Sequence, residues 1–200
     1  MKSMKDIFRS YAVFDSEGRH TNGTDKESNH SYGDAYENLF IDPADREDVR
    51  LMMEIGVADG SSLLAWRDIF PNATIVGMDI HAAAKVDANL TSRIEFYLGN
   101  QRSLADCRKA AAGRQFDLIV EDALHELDAT LMTLLYLWPH VAPGGMYVVE
   151  EFPNIGELQD NVKALWRDNG CGECNRVEVI NTTGPFGGIE PLVVFRKPTR

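Results

Sequence analysis

From Val49 onward, short apolar runs alternate with amphipathic stretches along the chain. The pattern predicts strands at Arg50–Ile55, Thr74–Asp79, Ile94–Leu98, Phe116–Glu121 and Gly145–Glu150. Between them it predicts helices at Ser62–Ile69, Leu104–Ala112, Leu127–Leu137 and Ile155–Asn169. The first, fourth and fifth strands are nearly continuous apolar runs, as strands covered on both faces are. Such alternation with short loops predicts an α/β fold of Rossmann-like type, with a mostly parallel, doubly wound sheet. The end of the chain breaks the rhythm. Arg176–Asn181 and Leu192–Arg196 are joined by a Gly/Pro-rich loop without a helix, which predicts an antiparallel hairpin at the sheet edge. Before Val49, residues 15–35 are polar and aperiodic and read as a loop, or as a segment ordered by a ligand. A helix over Tyr32–Phe40 and a turn at Asp42-Pro43 follow.

Length and composition narrow the classes. Two hundred residues suffice for one core, so a single domain is expected. Residues 1–45 form its N-terminal segment and covering loop, and residues 46–200 its α/β body. No apolar run approaches the roughly 20 residues of a membrane span. The N-terminus has no apolar signal-peptide centre, and three cysteines make a poor disulfide framework. A cytoplasmic location without membrane partners is the expectation. A net charge of −11 with no dense basic patch argues against nucleic acid as a partner.

The segment LMMEIGVADGSSLLAW ends an apolar strand at Glu54, turns through Gly56 and Gly60, and enters a helix at Ser61 or Ser62. Glycines at such a turn let a ligand approach the backbone, and the N–H groups of the helix start face it. Asp79 closes the next strand, 19 residues after Gly60. A carboxylate at that distance is placed to accept the hydroxyls of a ribose; capping a following helix is the other reading. A pyrophosphate-binding turn follows G-x-G-x-x-G. Here the pattern is E-x-G-x-x-x-G, and an acid ahead of the glycines repels pyrophosphate but suits an ammonium and a sulfonium. That charge logic points to S-adenosylmethionine. Asn100 and Gln101, after the third strand, can hydrogen-bond an adenine edge or form a simple turn.

Carboxylates gather at the C-terminal ends of the next two strands, where open α/β sheets bind ligands. Glu121 and Asp122 end the fourth, His125 follows, and Glu150-Glu151 end the fifth. Acids with one histidine form an oxygen-rich set suited to a hard cation such as Mg²⁺. An imidazole ordinarily titrates in the range that suits a general base near neutrality, which makes His125 the candidate for that role.

At this point the chain resembles a known group, the metal-dependent O-methyltransferases that modify sugar hydroxyls on macrolides, mycinamicin methyltransferases among them. The resemblance runs from about Thr24 to Val149. It is carried by Thr24-Asp25-Lys26 with Tyr32 and Tyr36, EIGVADGSSLLAWRDIFPNATIVGMDI, the D-x-x-H of Asp122 and His125, and PHVAPGGMYVVEE. It implies a class I methyltransferase fold, with Asp122, Glu150 and Glu151 as magnesium ligands and His125 as general base. It implies that Glu54, Gly56, Asp79 and Gln101 lie around the cofactor. The loop from Thr24 to Tyr36, including Lys26, would close over its methionine end. Asn100 stands where the family commonly has an acid. Those enzymes carry a large N-terminal domain that this chain almost lacks. The expected acceptor is therefore a small molecule, glycosylated by the resemblance, and either smaller, more exposed or bound across a homo-oligomer interface.

Two alternatives stay open on the sequence: a nicotinamide-dependent oxidoreductase, and a methyltransferase-like binding module without chemistry. Cys171-Gly172-Glu173-Cys174 lacks a second Cys/His pair and reads as a reduced structural turn. Trp66, Trp138 and Trp166 fall on apolar helix faces and are expected in the core. Gly184-Pro185-Phe186-Gly187-Gly188 reads as the hairpin loop.

Overall fold

A computed structural model describes all residues except 1, 84, 87–91, 170–173, 175, 185–186 and 200. The chain opens with α1 (Met4–Ser10), β1 (Ala12–Phe14), β2 (His20–Gly23), α2 (Tyr32–Leu39) and α3 (Pro43–Asp48). The α/β body then runs β3 (Leu51–Ile55), α4 (Ser61–Ile69), β4 (Thr74–Asp79), β5 (Ile94–Leu98), α5 (Leu104–Ala111) and β6 (Phe116–Glu121). It continues with α6 (Leu127–Leu137), a 3₁₀ turn at Trp138–His140, β7 (Val141–Val149), α7 (Ile155–Asn169), β8 (Arg176–Thr183) and β9 (Ile189–Arg196).

Seven strands form one sheet in the order β5-β4-β3-β6-β7-β9-β8. The first five of these are parallel, while β9 pairs antiparallel with both β7 and β8. The fold is thus the expected Rossmann-like methyltransferase arrangement, a mostly parallel sheet closed by an antiparallel hairpin. Its strand order reverses between β3 and β6, and at such a reversal the loops part and leave a crevice at the carboxyl ends.

Side chains alternate across the sheet into two cores. Met52, Ile75, Leu118, Val120 and Val148 join the core that holds α1, α2 and α4. Their neighbours Met53, Val76, Ile119, Tyr147 and Val149 join the other, with residues of α5, α6 and α7. Each such apolar side chain stabilises the fold by about 1.5–3 kcal/mol on burial. Burial on both faces explains why these strands read as unbroken apolar runs.

The N-terminal part is more ordered than its polar sequence implies. His20–Gly23, inside the stretch read as a loop, pairs with Ala12–Phe14 as a small antiparallel hairpin. Only one strand of the pair is polar, and the pair is partly exposed, so no apolar alternation announces it. Helix α1 had a readable start, since Ser3 Oγ accepts from the Asp6 amide at 3.1 Å. The expected turn at Asp42-Pro43 is the capped start of α3, where Asp42 accepts from Ala44 N–H at 2.9 Å. Trp66 and Trp138 are fully buried, as expected, and Trp166 is partly so. The readings of Cys171–Cys174 and of the loop 184–188 lie partly outside the described residues. No described helix is long and apolar enough to cross a membrane.

Candidate active site

A cavity of about 500 Å³ lies at the carboxyl ends of β3, β4, β5 and β6. Its floor is the turn after β3. Gly56 has φ +82° there, and a Cβ on it would lie 2.1 Å from the carbonyl oxygen of Asp122. The absence of a side chain lets the ends of β3 and β6 close together, with Asp122 N–H donating to Ile55 O at 2.8 Å. Gly60, at φ +89°, turns the chain into α4.

Of the residues expected around the cofactor, Thr24, Lys26, Gly56, Asp79, Asn100, Gln101 and Asp122 line this cavity. Asp79 braces the floor. One of its oxygens accepts from Val57 and Ala58 N–H at 2.8 and 3.0 Å, and the other from His81 N–H at 2.8 Å. No described helix follows Asp79, so it is not a helix cap. Gln101 is buried, its amide donating to Glu121 at 3.0 Å and Thr133 at 3.2 Å.

Glu54, Tyr36, Gly60, Ser61, Glu121 and Glu150 do not line the cavity. The charge logic attached to Glu54 needs correction, because this acid faces inward. Its carboxylate accepts from Ser62 Oγ at 2.6 Å and Trp66 Nε1 at 2.9 Å, and pairs with Lys26 at 3.1 Å. Glu121 is likewise sealed in, accepting from Thr130 at 3.0 Å as well as from Gln101. Burial pushes both carboxyl groups up from the usual glutamate range.

Lys26 lies at the centre of the acids. Its ammonium is 2.6 Å from Glu150 Oε2 and 2.8 Å from Asp122 Oδ2, with the side chain only 1% exposed. Burial alone would push this lysine down; the charges of Asp122, Glu150 and Glu54 outweigh it and hold it above the ordinary lysine range. The second oxygen of Glu150 accepts from Tyr36 Oη at 2.5 Å.

The mouth side of the acids is different. Asp122, His125 and Glu151 present ligand atoms that all lie within 4.8 Å of one another, and all three line the cavity. Glu150 is not in that set. His125 and Glu151 have φ +51° and +54°, a conformation that costs of order 1 kcal/mol or more in a residue with a side chain. Such strain persists only where surroundings enforce it, and here it turns both side chains to one point. His125 Nδ1 lies 3.3 Å from the carbonyl oxygen of Glu150. A carbonyl only accepts, so Nδ1 is the nitrogen that donates to it, and Nε2 is the one turned toward the acids. Nε2 is 3.9 Å from an oxygen of both Asp122 and Glu151.

His30 is a site residue that the sequence did not single out. Its ring lies between Glu151 at 2.9 Å, Glu190 of β9 at 3.3 Å and Asp25 at 3.4 Å, and it stacks on Tyr32. Burial lowers its affinity for a proton, but its hydrogen bonds to Asp25 and Glu151 outweigh that and raise the pKa to about 11. Burial pushes Asp25 up, but its hydrogen bond to His30 and the charge of that ring outweigh this and draw it down to about 2. With Asp25 and Glu151, His30 forms a second set of potential ligand atoms within 4.8 Å, but both of its ring nitrogens already face carboxylates of the protein. Only its spacing from Asp25 within a polar loop marked it in the sequence.

The sheet order, the glycine turn under the cavity and an acid-histidine edge together define the methyltransferase class of α/β fold. A family model described as "Methyltransferase domain" matches residues 53–152, and the chain belongs to that family. It is 33% identical over 145 residues to the mycinamicin VI 2''-O-methyltransferase of Micromonospora griseorubida, covering 66% of this chain and 35% of that one. It is 31% identical over 137 residues to the 8-demethyl-8-alpha-L-rhamnosyl tetracenomycin-C 2'-O-methyltransferase of Streptomyces olivaceus, covering 64% and 35%. The chain thus spans about a third of the length of these curated relatives. Among solved structures it is similar to the MycE methyltransferase of the mycinamycin biosynthetic pathway, in complex with Mg and SAH. The TM-score is 0.72 at 20% identity, over 99% of this chain and 55% of that one.

Proposed function

We propose that this chain is an S-adenosylmethionine-dependent O-methyltransferase domain acting, with Mg²⁺, on a hydroxyl of a sugar or other small-molecule acceptor. The observation that carries this reading is the convergence of Asp122, Glu151 and the His125 ring on one point of the cavity. The relatives' names and the SAH and Mg of the MycE complex agree with it.

The residues present fit both groups. A hard divalent ion takes one or two carboxylates and keeps several waters, and Asp122 and Glu151 offer them at the cavity wall. Glu150, expected as a third ligand, is held by Lys26 and Tyr36 instead. The cavity floor of Gly56, Asp79, Asn100 and Gln101 fits an adenosine, and Thr24 and Lys26 border the same space from the N-terminal loop. When bound, S-adenosylmethionine supplies the methyl group and Mg²⁺ supplies positive charge that acidifies and orients the acceptor hydroxyl.

The protein's own work is then positioning and proton removal. Asp122 and Glu151 fix the acceptor end, and the glycine turn fixes the donor end; alignment of the two lowers the barrier. His125 Nε2 takes the hydroxyl proton, while the Glu150 carbonyl holds Nδ1–H and keeps the ring oriented. Held so, the acceptor oxygen would be placed to receive the methyl group that bound S-adenosylmethionine supplies. Methyl transfer should be measured against a panel of glycosylated acceptors, with and without EDTA. Turnover that is abolished by EDTA and restored by Mg²⁺ is the expected result; full activity in chelator would remove the metal from the reading.

A further inference from the structure

Two of the three carboxylates around Lys26 have both oxygens engaged by the protein. Glu54 is bonded to Lys26, Ser62 and Trp66, and Glu150 to Lys26 and Tyr36. Asp122 is the exception. Its Oδ2 is 2.8 Å from Lys26 Nζ, while Oδ1 accepts no hydrogen bond from the described residues and lies 3.9 Å from His125 Nε2. The carboxylate of Asp122 therefore faces two ways, inward to the ammonium and outward to the cavity. Glu150 faces only inward, and both its oxygens are buried.

This arrangement resembles a pair of cation positions bridged by one acid, with the inner position already taken by the chain's own ammonium. We propose that Lys26 is a positioning residue that occupies this inner position, so that Glu150 is not a ligand of the divalent ion and Asp122 is turned to serve the outer one. The inference rests on the metal reading above and corrects its ligand set. Three carboxylates crowded without a counter-charge are strongly unfavourable. The lysine resolves that crowding and, through Oδ2, leaves Oδ1 of Asp122 for the cavity. It reaches the acids from the N-terminal loop, so the same contacts that orient Asp122 fasten that loop to the sheet edge.

Mn²⁺ binding to the chain saturated with S-adenosylhomocysteine, read by electron paramagnetic resonance, tests the proposal. Wild type should bind one ion; no binding would overturn the metal reading and this inference with it. Glu151→Gln should weaken Mn²⁺ at least tenfold, whereas Glu150→Gln should stay within about threefold of wild type. If wild type binds but Glu150→Gln loses tenfold or more, Glu150 is a ligand and the inference alone is overturned. Lys26→Ala opens the inner position and should bind a second Mn²⁺. A folded Lys26→Ala chain that still takes one ion also contradicts the inner assignment. Should that variant fail to fold, the comparison of Glu150→Gln with Glu151→Gln decides.

Discussion

His125 owes its assigned role to backbone as much as to side chain. Its backbone has φ +51°, its ring lines the cavity, and the Glu150 carbonyl at 3.3 Å engages Nδ1 and leaves Nε2 toward the acids. His125→Ala is expected to lower turnover about 10²–10⁴-fold, the usual contribution of a general base. Affinity for S-adenosylhomocysteine should stay within a few-fold, because the ring lies at the chemical end of the cavity. Wild-type turnover in this variant would remove His125 from the mechanism. Gly56 works at the same scale by having no side chain. Gly56→Ala must bear a backbone strain of order 1–3 kcal/mol, and its Cβ would meet the Asp122 carbonyl at 2.1 Å. A fall in the urea midpoint together with loss of S-adenosylhomocysteine binding is expected; unchanged binding would show that the floor can shift at no cost.

At the scale of elements, the loop before α2 is the part that fastens the others. His30 ties it to Glu151 beyond β7 and to Glu190 on β9, with Asp25 and the stacked Tyr32 completing its surroundings. Thr182 Oγ1 of β8 lies 2.7 Å from the His30 carbonyl and can donate to it. Because the folded state raises the pKa of His30 from 6.5 to about 11, it binds a proton that the unfolded chain has lost over that interval. The resulting stability is complete below pH 6.5 and is lost as pH rises toward 11. Urea denaturation of metal-free protein should therefore show stability declining over this window, with a shallower decline in His30→Gln. An equally steep decline in the variant would show that other groups cause it.

This loop also marks where sequence reading stopped. The strands and helices from β3 to α7 were legible because each buries an apolar face, and the apolar period exposes it. The carboxylates at the strand ends were legible because the topology of a parallel sheet collects them at one edge. The pairing of Lys26 with Glu54, Asp122 and Glu150 joins residues 28, 96 and 124 positions apart. No local period encodes such a contact. Glu54 shows the consequence. An acid before a glycine turn reads as facing the ligand, whereas here a lysine from the polar loop turns it into the interior.

Across the whole molecule, the distribution of charge follows the same logic. The acidic chain, at −11 overall, places carboxylates at one sheet edge and supplies two internal cations, Lys26 and His30, from one loop. Neither cation binds phosphate in this arrangement, since carboxylates already surround both. The floor under the cavity offers a glycine turn braced by Asp79, and the inward acid Glu54 does not take part in it. The preference for S-adenosylmethionine over a dinucleotide therefore rests on the fold, the family and the chemical end of the site. Parallel calorimetric titrations with S-adenosylhomocysteine and with NAD test that preference most directly. The account predicts one S-adenosylhomocysteine bound per chain and no heat from NAD; saturable NAD binding without S-adenosylhomocysteine binding would contradict it.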